Sequence, residues 1–402
     1  MNGPVLERWW GRRPNRYIAA FIGILLLLAA GLSLIHRSPN VGVEPPAPTT
    51  PLSPGTAVPS SRITEVQMQT MATGIGLAVV PRSSTSPTRA YVVATTDGGT
   101  TWRVRSDAPA SSQVSAFSDS LVVLDPHVYY FVEVATARLL VTTDSGRTWH
   151  PVVVVGRMQS ARRVGRQLWV TTEHCAGTAS HGAVPKCSAF LYAYAAGQLS
   201  APPGRPVPEN RSMSSTTTVS VFAPLGPGAA VLLDASGGPG HAAIVMTPDG
   251  GATWQSVPNP CGRAIPAALL TNSPRRWVLY CSLDEGMNQG LNQLFASPDR
   301  GATWRLVAAA EAGRMHHMGR FGDVMSAAFA MSNDGTIMWD VSTVGPMSAS
   351  IDGGAFWSMA RPNVPSMSPS GIDAVGPRGA FMVDLGGGVW RTADGVHWRH
   401  LR

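Results

Sequence analysis

Lysine is nearly missing from this 402-residue sequence: one of its 31 basic side chains, Lys186, is a lysine, and the other thirty are arginines. We read that ratio as genome composition rather than function. Concentrated basic charge is missing too. The net charge is +7, of which Arg8, Arg12, Arg13 and Arg16 against Glu7 place +3 in the first sixteen residues, leaving +4 for the remainder. So dilute an excess excludes the clustered basic face that nucleic acid requires, and no nucleic-acid partner is expected. Long helical periodicity is absent after residue 36, which excludes an α-helical architecture for the bulk of the chain. Cysteine is scarce, and none follows the N-terminal apolar run closely, so no lipoprotein anchor is expected.

Apolar residues are plentiful at 44%, enough for a sizeable core, and 42 glycines with 33 prolines call for many turns; the bulk reads as all-β. The segment "IAAFIGILLLLAAGLSLI", residues 18–35, carries no charge. At about 1.5 Å rise per residue its length nearly matches a hydrocarbon core of about 30 Å. It reads as a transmembrane signal anchor over 17–36; a cleavable signal peptide competes, but would have a shorter apolar region and an Ala-x-Ala-like site. The arginines before it make residues 1–16 a cytoplasmic basic tail, with Trp9, Trp10 and Tyr17 at headgroup level, so the rest is extracytoplasmic. Seven prolines in 37–61 make that stretch a semi-rigid linker, leaving 62–402 for the β-domain.

The four cysteines, Cys175, Cys187, Cys261 and Cys281, suit an oxidising compartment. Two local disulfides, Cys175–Cys187 and Cys261–Cys281, are the simplest of three pairings, each stabilising by about 3 kcal/mol in the chain-entropy model. Zinc held by His174, His181 and the first two cysteines is the rival, but the spacing matches no usual ligand pattern. No metal or cofactor is expected.

An internal repeat decides the fold. Ser/Thr-x-Asp-x-Gly-x-Thr-Trp occurs at 95–102, 142–149, 247–254 and 297–304; a copy at 350–357 has Phe356 for threonine, and a sixth at 392–398 is one residue shorter. The aspartates are Asp97, Asp144, Asp249, Asp299, Asp352 and Asp394, and the tryptophans Trp102, Trp149, Trp254, Trp304, Trp357 and Trp398. Spacings of 47, 105, 50, 53 and 42 residues contain one double gap, so a degenerate unit lies between Asp144 and Asp249, with "FLYAYAAGQLSAP" (190–202) at the missing motif. Each unit reads as four short strands, the last beginning at the motif tryptophan. Seven such units around a ring predict an all-β, seven-bladed β-propeller of four-stranded blades, preceded by one transmembrane helix. Each end supplies its own four strands, so no strand exchange closes the ring.

These residues resemble the Asp-box, or bacterial neuraminidase repeat, over roughly residues 63–402. The resemblance implies a propeller related to sialidases, xyloglucan-cleaving glycosidases, sortilin-type receptors and photosystem II assembly-factor-like proteins; fold does not choose among them. The aspartate is expected to accept backbone N–H groups in its turn, the glycine to take positive φ, and the tryptophan to pack on neighbouring structure while its N–H seeks a partner. Six acids spread around a ring cannot converge on one substrate, so they read as structural.

Function is expected on the opposite face, formed by second-to-third loops and inter-blade links: the Cys175–Cys187 excursion, 234–241, 282–292 and 311–320. His316 and His317 between Met315 and Met318 could suit copper, but adjacent residues of a strand point apart. Asp284 and Glu285 are adjacent, unlike the separated carboxylates of glycosidases. Sialidases carry an early Arg-Ile-Pro signature, and here Arg62-Ile63-Thr64 is the nearest match; "Arg263-Ala264-Ile265-Pro266" is neither contiguous nor early, and the last tyrosine is Tyr280. Catalytic residues therefore stay unknown. Trp169, Trp277, Trp339 and Trp390 read as core. The sequence points to a scaffold binding a protein or glycan at the cell surface, with a glycoside hydrolase as the alternative.

Overall fold

Each repeat folds, in the computed structural model, into one antiparallel meander whose four strands lie in chain order, and seven such sheets follow one another at 63–107, 119–152, 157–206, 220–257, 265–310, 326–359 and 369–401. The structure describes residues 51–80, 89–109, 119–133, 138–176, 186–208, 220–226, 228–234, 242–273, 276–284, 290–310, 326–342, 347–359, 369–384 and 388–401. All belong to one unit, 48–402. Among them the one helical turn is a 3-10 turn, Ser60–Arg62, and no helix is long and apolar enough to cross a membrane. The transmembrane reading, 17–36, lies outside the described residues.

The first strand of each sheet touches the first strand of the next, and Pro369–Val375 of the seventh touches Ile63–Met68 of the first. The sheets are therefore the blades of a closed seven-bladed propeller. Second strands such as Tyr129–Glu133, buried at every position, are near-continuous apolar runs because a sheet covers both faces. The outer strand Trp102–Asp107 alternates buried and open positions because only one of its faces is covered. The core accordingly lies between blades: Val122, Tyr130 and Val141 of blade 2 pack on Met158, Leu168, Tyr192 and Tyr194 of blade 3. Trp169, Trp277 and Trp339 are core, whereas Trp390 is partly buried against His400.

Both end blades are built from contiguous chain, so no strand is exchanged between them. The ring nevertheless has a clasp. Ala57–Val58, within the proline-rich stretch, adds a fifth strand to the outer edge of blade 1, pairing with Arg103 and Trp102. The following Ser60 donates its hydroxyl to the carbonyl of Leu401 in the outer strand of blade 7.

Candidate functional site

The aspartate turns join third to fourth strands, which puts all six on one face of the ring. In blade 2, Thr142 Oγ1 donates to Asp144 Oδ1 (2.8 Å) while accepting the Gly146 N–H (2.8 Å). The Thr148 N–H reaches Oδ1 (2.9 Å) and its hydroxyl reaches Oδ2 (2.7 Å). Asp97, Asp249 and Asp299 repeat this set with Thr101, Thr253 and Thr303. Asp352 keeps the Phe356 N–H bond, but phenylalanine has no hydroxyl to give, and its ring is 76% exposed. Asp394 is held by the N–H and Nδ1 of His397 (2.8 and 2.7 Å). The Thr148 N–H and then its hydroxyl pull the Asp144 carboxyl down to about 2. These carboxylates are acceptors engaged by their own turns, poorly suited to taking up a proton near neutrality.

The turn glycine does more than bend the chain. Gly301 has φ +86°, and a β-carbon there would sit 2.5 Å from Val257 of the preceding blade. The corresponding glycines of the other boxed blades also abut the preceding blade, Gly99 of blade 1 meeting Leu401 of blade 7. Three motif tryptophans reach acceptors: Trp149 Nε1 donates to Asp107 O (3.3 Å), Trp304 to Pro258 O (2.8 Å) and Trp357 to Gly354 O (2.9 Å). Trp102, Trp254 and Trp398 bury their Nε1 with no acceptor among the described residues. Burial of the ring outweighs satisfaction of its N–H there.

On the opposite face, Cys175 and Cys187 face each other across a ladder and are bonded, as are Cys261 and Cys281. The Glu173 carboxylate and both sulfurs of the first pair lie within 4.8 Å of one another, but sulfurs bonded to each other are not thiolate ligands. His174 stands beside Phe190 (ring centroids 4.6 Å apart), with Nε2 3.0 Å from the Val155 carbonyl. His181, Glu285, Met315, His316, His317 and Met318 lie outside the described residues, as do most of 234–241 and all of 311–320.

The ring's inner wall holds polar side chains that the sequence does not single out. Glu65 Oε2 and Gln67 Oε1 of blade 1 accept the N–H groups of Leu121 and Val123 of blade 2 (3.0 and 2.9 Å). Arg163 of blade 3 donates to the Val123 carbonyl (3.1 Å), and Asp373 of blade 7 accepts the Met68 N–H of blade 1. Side chains thus substitute for the ladder that the splayed inner strands cannot form. A cavity of about 190 Å³ opens between blades 7 and 1, lined by Glu65, Gln67, Ile372, Asp373 and Val383. It is smaller than the roughly 300–1,000 Å³ of ordinary ligand pockets. Burial pushes the Asp373 carboxyl up to about 6, with the Met68 N–H and the Arg163 charge pulling the other way. Because folding raises this pKa, its stabilising contribution is complete below about 4 and is lost as pH rises through about 6.

A further aspartate turn also escapes the sequence reading. Ser332, Asp334 and Thr336 form a box-like knot between the first and second strands of blade 6: Ser332 Oγ donates to Asp334 Oδ1 (2.6 Å), as does the Thr336 N–H (2.9 Å). Arg378 Nε of blade 7 donates to Oδ2 (3.0 Å), making the turn an inter-blade tie. The signal, Ser-Asn-Asp-Gly-Thr, is visible only when the motif is sought without its tryptophan.

No family model matches the chain, and no curated protein matches it in sequence. Among solved structures the chain is similar to YCF48 from Cyanidioschyzon merolae, with TM-score 0.54 and 15% identity over 84% of this chain and 98% of that one. An oligogalacturonate lyase in complex with manganese gives 0.52 and 8%, covering 85% and 98%. The Pyrococcus horikoshii acylaminoacyl peptidase gives 0.54 and 9% over 85% of this chain and 52% of that one, so the chain spans about half the peptidase's length. Identities this low carry the propeller fold and nothing of activity.

Proposed function

We propose that this propeller is of the Asp-box kind, tethered by residues 17–36 with its ring extracytoplasmic, and that it serves as a binding or assembly scaffold for a protein or glycan. The observation that carries the reading is the use made of its polar groups. The six motif aspartates are taken up by their own turns, and Glu65, Gln67, Arg163 and Asp373 stitch neighbouring blades together. Such a ring is a rigid platform. The uncharged run of 18–35 supports the tether, and two disulfides suit an oxidising compartment.

Affinity capture with the ring, residues 48–402, followed by reconstitution of the captured partner at micromolar affinity or better, tests the scaffold. Turnover of a glycoside panel by the same protein would overturn it. A reporter fused after residue 40 that is active only in the cytoplasm would overturn the orientation.

A further inference from the structure

Seven outer strands close the blades, and among the described residues two are long: Trp102–Asp107 of blade 1 and Arg305–Ala310 of blade 5, six residues each, against two to four elsewhere. The two match in detail. Each pairs with its third strand through a register shift three residues after the motif tryptophan, at Arg105 and Val307. Each carries an arginine one residue after it, Arg103 and Arg305. In blade 1 the outward edge is occupied: the Val104 N–H donates to Thr56 O (2.9 Å), the Gly55 N–H donates to Val104 O (2.8 Å), and Arg103 Nη1 donates to Gly55 O (3.0 Å). Beside that strand Val104 is 3% exposed. In blade 5 the equivalent Leu306 is 49% exposed, and among the described residues nothing pairs with its edge.

A six-residue edge that no described residue pairs with, carrying one charge, is a template for another strand, which proteins normally blunt by shortening or charging it. We infer that the outer strand of blade 5 is a docking edge that takes an extended segment of a protein partner in the register that Gly55–Val58 uses on blade 1. The Leu306 N–H and C=O anchor the segment's backbone, and Arg305 grips one of its carbonyls. The segment has small or β-branched residues, as Gly55-Thr56-Ala57-Val58 does, and no basic residue facing Arg305. This rests on the scaffold reading and narrows it to a protein partner.

The test uses the full-length chain in detergent and, as probe, a synthetic peptide copying Ser53–Ser60. Hydrogen exchange should find the Val104 amide slow and the Leu306 amide fast, the latter slowing about tenfold with saturating probe. Leu306→Pro removes only an outward N–H, so melting should be unchanged while probe affinity falls about tenfold. Arg305→Ala, a surface change that leaves the ladder alone, should weaken the probe severalfold. A Leu306 amide protected without probe, equal binding by wild type and Leu306→Pro, or a dimer dissociated by Leu306→Pro overturns the inference, the last assigning the edge to a second copy. A partner captured equally by wild type and Leu306→Pro overturns the edge alone; no partner and no probe binding removes both readings.

Discussion

Blades 2 and 3 stand side by side and solve the same problem differently. Blade 2 joins its third and fourth strands with a full aspartate knot, five hydrogen bonds converging on Thr142 and Asp144. Its central strands, Tyr129–Glu133 and Arg138–Thr142, have five residues each. Blade 3 has no aspartate there. Its turn is held by Gln198, whose Oε1 accepts the Ala195 N–H (3.0 Å), and by tyrosines: Tyr130 OH donates to Ala195 O (2.7 Å) and Tyr194 OH to Val153 O (2.8 Å). Its central strands run to ten and nine residues and end in the Cys175–Cys187 bond. One element survives the loss of the motif. Gly197 keeps positive φ, and a β-carbon there would meet Thr143 of blade 2 at 2.8 Å. The blade can dispense with the knot but not with the glycine that seats it on its neighbour.

If long strands and a disulfide replace the knot in blade 3, converting Cys175 and Cys187 to serine should cost the most, about 3 kcal/mol in denaturant unfolding. A double variant as stable as the parent would break the comparison at its first step. Next comes the shared element: Gly146→Ala forces a side chain into positive φ and against Ser106, and should cost about 2 kcal/mol by the same measurement. Gly197→Ala should behave alike; tolerance at either position would mean that the glycine does not seat the blade.

Removing the knot itself is milder. Asp144→Ala should cost about 1 kcal/mol, since the turn is solvent-exposed and water replaces part of what is lost. Acid offers a second handle. Folding lowers the Asp144 pKa from 3.8 to about 2, so its stabilisation is present above about 4 and is lost as pH falls through about 2. Amide exchange in that window should open the Thr148 N–H of blade 2 while sparing the Ala195 N–H of blade 3; simultaneous opening would show that the two turns do not differ in this way. Smallest is a gain: Phe356→Thr restores the missing hydroxyl bond in blade 6 and should raise stability by about 0.5 kcal/mol in a thermal melt.

The fold was readable because the motif repeats in phase: six copies set the period, and the double gap located blade 3 without a single diagnostic residue in it. Apart from the two disulfides, whose cysteines lie close in sequence, features outside the period were silent. Glu65, Gln67 and Asp373 sit on strands whose polar positions could as well face water, and nothing local distinguishes a carboxylate that reaches the next blade's backbone. The Asp334 turn lacks a tryptophan and joins a different pair of strands. Ala57–Val58 sits among prolines that read as a linker, because pairing on a sheet edge uses the backbone and asks little of composition. The expected functional face was legible only as loop lengths, which say where the chain leaves the scaffold and nothing of what its side chains meet.

The clasp of Ser60 on Leu401 also sets an order of events. On a ribosome the first blade's strands emerge hundreds of residues before the strand Trp398–Leu401 that they must meet. The inner strand Ile63–Met68 therefore waits with one flank bare, its Met68 N–H without Asp373, until the seventh blade arrives. Synthesis of such a ring carries a built-in interval in which that flank of blade 1 is exposed, and the interval closes only when the last strand is made.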